Sequence, residues 1–124
     1  MKDAIKLSKN TVAVRLAGIL TPKVIYKSLV DNFGFNTLVE REGKLTDIDI
    51  APMALGQLCY GVPLLNLTEA YSVFPNDGIW NKTRSYLYLY DHNGRVVLEN
   101  TAEERRVFQQ STARIMNKLL MKVT

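Results

Sequence analysis

A chain of 124 residues has room for one hydrophobic core and too little for two. With 47% apolar and 23% charged side chains it is neither disordered nor fibrous, and no apolar run approaches the ~20 residues that span a bilayer. Sixteen Lys and Arg against twelve Asp and Glu give +4, but Lys2, Lys6, Lys9, Arg15, Lys23 and Lys27 are scattered among apolar positions, and no aromatic-flanked basic stripe points to nucleic acid.

In chain order, the first apolar period predicts a helix over 10–20, with Val12, Leu16 and Ile19 on one face. The stretch KLSKNTVAVRL around its start reads locally as a helix N-terminus, with Ser8 and Asn10 as capping residues. A second helix is predicted over 22–33. Thr21 would cap it, Pro22 suits the first helical position, Ile25, Leu29 and Phe33 recur every four residues, and Gly34 ends it. Residues 36–54 show no sustained period and read as a loop crossing in extended form toward Gly56.

In PLLNLTEAYSVFPNDG the residues Leu64, Leu67, Tyr71 and Phe74 step at helical spacing and predict a core-facing stripe, stopped by Pro75, Asp77 and Gly78. Tyr86, Tyr88 and Tyr90 alternate with Leu87 and Leu89, and Asn93-Gly94 follows, which predicts a hairpin of 84–92 with 95–99, one face packed and one wet. Thr101 and Glu104 have capping-box spacing for a short helical turn. A last helix over 110–122 presents Ala113, Met116, Leu119, Leu120 and Val123. The sum is a single domain over 1–124, mainly α with one β-hairpin.

The chemistry-bearing inventory is thin. His92 is the only histidine and reads as a surface turn residue, so no metal site is expected. Cys59 is the only cysteine, which rules out an internal disulfide, and its apolar neighbours predict a small buried hydrophobe. Asp47 and Asp49 read as solvated loop carboxylates, and Gly56, Gly61 and Gly78 form no phosphate-binding fingerprint, so no cofactor is expected. Asn66 and Asn81 match the short glycosylation triplet, a pattern too common to carry weight. The N-terminal MKDAIKLSKN has no signal-peptide pattern, so any targeting segment of an exported parent is expected outside this chain.

Three blocks nevertheless stand in a telling order: Ser8-Lys9-Asn10 followed by Val12-Ala13-Val14-Arg15-Leu16; Ala54-Leu55-Gly56, Gly61-Val62, Leu65, Leu67, Ala70-Tyr71, Phe74 and Asn76-Asp77-Gly78; then the tyrosine hairpin and Thr112-Ala113, Met116, Leu119 or Leu120 and Val123. In that order and spacing they resemble the transpeptidase domain of class A penicillin-binding proteins, the peptidoglycan synthases of bacterial cell walls, over nearly the whole chain. Pro63-Leu64 departs from the family's usual Ser/Thr-Pro, Gln57 and Cys59 stand where Gly and Thr are common, and Gln109 replaces a better capping Ser.

The resemblance implies a partial β-lactamase/transpeptidase-like fold, the helical part without most of its five-stranded sheet. It further implies a serine acyl transferase acting on D-alanyl-D-alanine stem peptides and acylated by β-lactams, in a membrane-anchored, extracytoplasmic parent with a glycosyltransferase domain. Ser8 would then correspond to the hydroxyl that relays a proton, and Asn10 to the amide that orients substrate and motif lysine. The family's Ser-x-x-Lys and Lys-Thr-Gly motifs are expected upstream of Met1 and downstream of Thr124, so the chain alone is expected to be inactive, membrane-associated only through an upstream anchor, and prone to self-association through apolar surface that the sheet would cover. Other readings of the same residues are a β-lactam sensor or D,D-carboxypeptidase fragment, and a non-catalytic interaction module.

Overall fold

The computed structural model describes residues 2–123. Six helices and two separate two-stranded antiparallel sheets make up the chain among those residues, in agreement with a mainly α reading. In chain order they are α1 (Lys2–Lys6), α2 (Asn10–Leu20), α3 (Pro22–Phe33), α4 (Ile50–Leu55), α5 (Leu64–Ser72), β1 (Ile79–Asn81), β2 (Tyr88–Tyr90), β3 (Val96–Glu99), β4 (Glu104–Arg106) and α6 (Gln110–Leu120).

Helices α2 and α3 fall where periodicity, Pro22 and Gly34 place them. Gly34 adopts φ +69° and donates to the Val30 carbonyl, the left-handed stop that glycine makes cheaply. Thr21 does not cap α3: it sits at φ +70° with no side-chain bond, and works as the reversal between the two helices. The predicted apolar face of α2 is also displaced, since Ala17 is its buried residue while Ile19 stays 71% exposed.

Phe33 at the end of α3, with Phe35, Leu38, Val73 and Trp80, forms the core; Tyr26, Leu29, Val30, Ala70, Val107 and Phe108 pack around it. The Arg105 guanidinium lies 4.0 Å over the Trp80 ring while its Nε donates to the Asn32 carbonyl, tying β4 to α3. The core contradicts the stripe predicted for α5. Leu64 is 78% exposed, and Leu67 and Tyr71 face solvent as well; the helix buries Glu69 and half-buries Ala70, with Val73 buried just past its end. The physical reason is a polar contact: Glu69 Oε1 accepts from the Thr83 N–H at 2.7 Å, which turns the Glu69 side of α5 inward.

Trp80 lies in β1, which pairs with β4 in the register Trp80 opposite Arg105. Glu104 therefore begins strand β4, Thr101 precedes it outside any regular element, and no helical turn forms there. Gly78 sets this crossing. Its carbonyl accepts from the Val107 and Phe108 N–H groups at 2.8 and 3.1 Å, and at φ +87° a Cβ would collide with the Phe108 carbonyl. The hairpin forms at the Asn93-Gly94 turn, but both faces of β2 and β3 are exposed, so the packed side expected of it is missing among the described residues. In α6, Ala113 is fully buried and Met116, Leu119 and Leu120 are half-buried; the helix stops at Leu120, leaving Val123 outside it and exposed.

The loop expected over 36–54 contains α4. Asp49 caps that helix by accepting from the Ile50 N–H at 2.7 Å, and Pro52 falls in the first turn, where no helical donor is lost. Asp47 is not solvated but fully buried: Oδ2 accepts from the Val39 N–H at 2.7 Å and Oδ1 from the Cys59 N–H at 2.8 Å. Cys59, in turn, is exposed and not a core residue.

Two outcomes follow from this packing. Replacing Gly78 by Ala combines a left-handed backbone with a clash and is expected to cost about 3 kcal/mol, whereas Gly94→Ala, left-handed in open space, costs about 1 kcal/mol; urea unfolding midpoints compare them. Asp77 accepts from Arg114 Nε at 2.8 Å and Nη2 at 3.1 Å and from Gln110 Nε2 at 2.8 Å, and Arg114 first, then Gln110, pull its carboxyl down from 3.8 to about 2. Its stabilising contribution is therefore complete above its ordinary pKa and lost as pH falls toward 2. The stability gap between wild type and Asp77→Asn should close between about pH 5 and pH 2 in urea titrations, and a pH-independent gap would refute the pairing.

Candidate functional site

The segment between α1 and α2 is a bend, and its residues have roles that the local reading does not give. Ser8 ends α1 and does not start α2. The Ser8 N–H donates to the Ile5 carbonyl at 3.1 Å and the Lys9 N–H to the Ala4 carbonyl at 2.9 Å, the paired bonds of a Schellman stop with Ser8 at its left-handed position, φ +48°. Lys9 occupies the N-cap position of α2 and makes no side-chain capping bond; Asn10 is the first helical residue. Neither Ser8 nor Asn10 caps a helix with its side chain.

Both side chains are exposed, and both line one cleft of about 470 Å³. Its walls come from α1 (Ala4, Ile5), the first two turns of α2 (Val12, Ala13, Leu16), the end of α4 (Ala54, Leu55) and Met116 of α6. Ser8, Lys9 and Asn10 supply its polar edge. An apolar hollow with a few convergent polar groups is how small-molecule sites are built. The wall from α4 depends on the Asp47 and Asp49 carboxylates, which fix the loop before that helix and its first turn.

Chemically the bend offers a hydroxyl, which both donates and accepts, and a carboxamide, which donates from nitrogen while accepting at oxygen. Such a pair can pass a proton along and orient an amide. The remaining reactive candidate is displaced: Cys59 lies outside the cleft, and the Asp47 carboxylate beside its thiol pushes the thiol up from its ordinary value, which disfavours the thiolate. His92 sits exposed in the hairpin turn. Among the described residues, no group of three or more His, Cys, Asp or Glu could hold a metal ion, and no helix is long and apolar enough to cross a membrane.

Sequence reasoning named Ser8 and Asn10 but missed α1, α4 and the participation of Lys9. The α4 signal was present in Asp49 three residues before Pro52, a cap followed by a first-turn proline.

Against known proteins, no family model matches the chain. It is 34% identical to penicillin-binding protein 1A of Clostridium novyi (strain NT) over 97% of its own length. The chain is similar to a segment of penicillin-binding proteins. Identity is 32% to penicillin-binding protein 1A of Clostridium botulinum (strain Hall / ATCC 3502 / NCTC 13319 / Type A) over 88% of the chain, and 26% to penicillin-binding protein 4 of Bacillus subtilis (strain 168) over 99%. The chain spans only 13%, 14% and 19% of those three relatives.

The strained bend yields a test. Glycine at position 8 removes the left-handed penalty, so Ser8→Gly should raise stability by about 0.5–1 kcal/mol while Ser8→Ala gives no gain, read from thermal unfolding.

Proposed function

We propose that the chain is the segment of a class A penicillin-binding protein's transpeptidase domain that carries the Ser-x-Asn motif and forms one wall of the acyl-transfer cleft. The observation behind this reading is that Ser8 and Asn10, matched to that motif, sit on one bend and line one cleft, in a chain that matches a penicillin-binding protein 1A over 97% of its length. The exposed apolar faces of α5 and the hairpin support a wall whose neighbours lie elsewhere in a longer protein.

On this reading a serine outside the chain attacks the D-alanyl-D-alanine amide carbon. The C–N bond breaks, D-alanine leaves with a proton relayed through Ser8, and the acyl group passes to an amine on a neighbouring strand, which gives its proton back along the same path. Asn10 holds the substrate amide and the motif lysine in register through its donor and acceptor ends. The parent is anchored in the membrane with this domain outside the cytoplasm, and is acylated by β-lactams. Without the attacking serine the 124-residue chain is inert.

Fluorescent penicillin tests this directly. The full-length gene product should become covalently labelled, its Ser8→Ala variant should acylate about 10²-fold more slowly, and the isolated chain should take up no label. Labelling of the isolated chain, or an unchanged rate in Ser8→Ala, would overturn the assignment.

A further inference from the structure

The cleft that holds Ser8 and Asn10 has a lining that narrows what can fill it. Its walls are apolar, with Ile5, Leu16, Leu55 and Met116 among them, and Lys9 is the one charged residue that borders it among the described residues. Lys9 is exposed and makes no ion pair among those residues. The neighbouring charges are mainly basic, with Asp3 of α1 and the α4 cap Asp49 as the acidic exceptions. Helix α1 carries Lys2 and Lys6 against Asp3 alone, and α6, which packs on α1, contains no acidic residue. Lys2 lies beside Lys122 and, through their direct contact and like charge, holds that ammonium below its ordinary value.

An apolar hollow edged by two neutral polar side chains and one unpaired ammonium is complementary to an apolar molecule with one negative group. We propose that Lys9 is a specificity-determining residue of this cleft: its ammonium makes the cleft prefer ligands with a carboxylate over neutral ligands of the same shape. The middle position of the Ser-Lys-Asn bend then has work of its own, separate from proton relay and amide orientation. The proposal deepens the acyl-transfer reading and rests on it for its biological setting, while the binding preference stands on the lining alone.

Phenylacetate and phenylacetamide share an apolar body and differ by one charge, so they separate the two cases. Titrated into the 15N-labelled chain, phenylacetate should shift the amides of Ser8, Lys9 and Asn10 saturably, and phenylacetamide should bind about three- to tenfold more weakly, the range of a partly exposed ion pair. Lys9→Met should abolish that difference, Lys9→Arg should keep it, and added salt should shrink it. Equal affinities in the wild type, no shifts at the bend, or a preference that survives Lys9→Met would overturn the proposal. If Lys9→Met fails to fold, the wild-type comparison, its salt dependence and Lys9→Arg still decide. A full-length protein that takes up no penicillin, with the carboxylate preference intact, removes the acyl-transfer reading and leaves this one; the reverse pattern removes this one alone.

Discussion

The buried carboxylate of Asp47 is the contact on which the functional half of the molecule depends. Taking an ionised carboxylate out of water costs several kcal/mol, and burial by itself would push the Asp47 carboxyl up. The group is nevertheless held below its ordinary value, because the N–H groups of Val39 and Cys59 and the Cys59 thiol donate to it. Hydrogen bonding outweighs desolvation here. The consequence is geometric: one side chain joins residues 39, 47 and 59, closing a long loop on itself and holding α4 against α2, where Ala54 and Leu55 become a wall of the cleft.

A second buried carboxylate orders the other half. Among the described residues the Glu69 carboxylate accepts from the Thr83 N–H, and that bond decides which side of α5 faces in. Apolar periodicity nominated Leu64, Leu67 and Tyr71, yet these remain on the outside while Val73 and Trp80 close on Phe33. The choice makes sense if the outer stripe is itself destined for burial by other parts of a longer chain. Both faces of the hairpin point the same way, since a two-stranded ribbon with apolar residues on each side is marginal in water unless something covers it.

How much of this could be read from sequence follows from length and punctuation. Helices α2 and α3 were legible to the residue, because Thr21-Pro22 and Gly34 mark their ends and each spans about three turns. Helices α1 and α4 have five and six residues, too few for a period to show, and exist only through packing and caps. Strands β1 and β4 were invisible for a related reason: three residues each, paired across 22 intervening positions by the Gly78 crossing and the Arg105–Trp80 contact. At the site, the residue types of Ser8 and Asn10 were legible through the resemblance, but their conformations were not, since a serine in front of a helical period reads as a cap and this one terminates the preceding helix.

That termination links the bend to a distant part of the chain. A serine in the left-handed region is unfavourable by about 1 kcal/mol, and glycine is the usual occupant of the corresponding Schellman position. The bend keeps a side chain where the backbone would be more stable without one. Strain of this kind survives only when the surroundings over-determine it, and here the determinant is α1, whose Ala4 and Ile5 carbonyls receive the two bonds that define the turn. A helix of five residues does not hold itself together in water, and α1 is held by packing against α6. The backbone conformation that places Ser8 at the cleft thus depends on the helix from the opposite end of the chain, the same helix that contributes Met116 to the cleft.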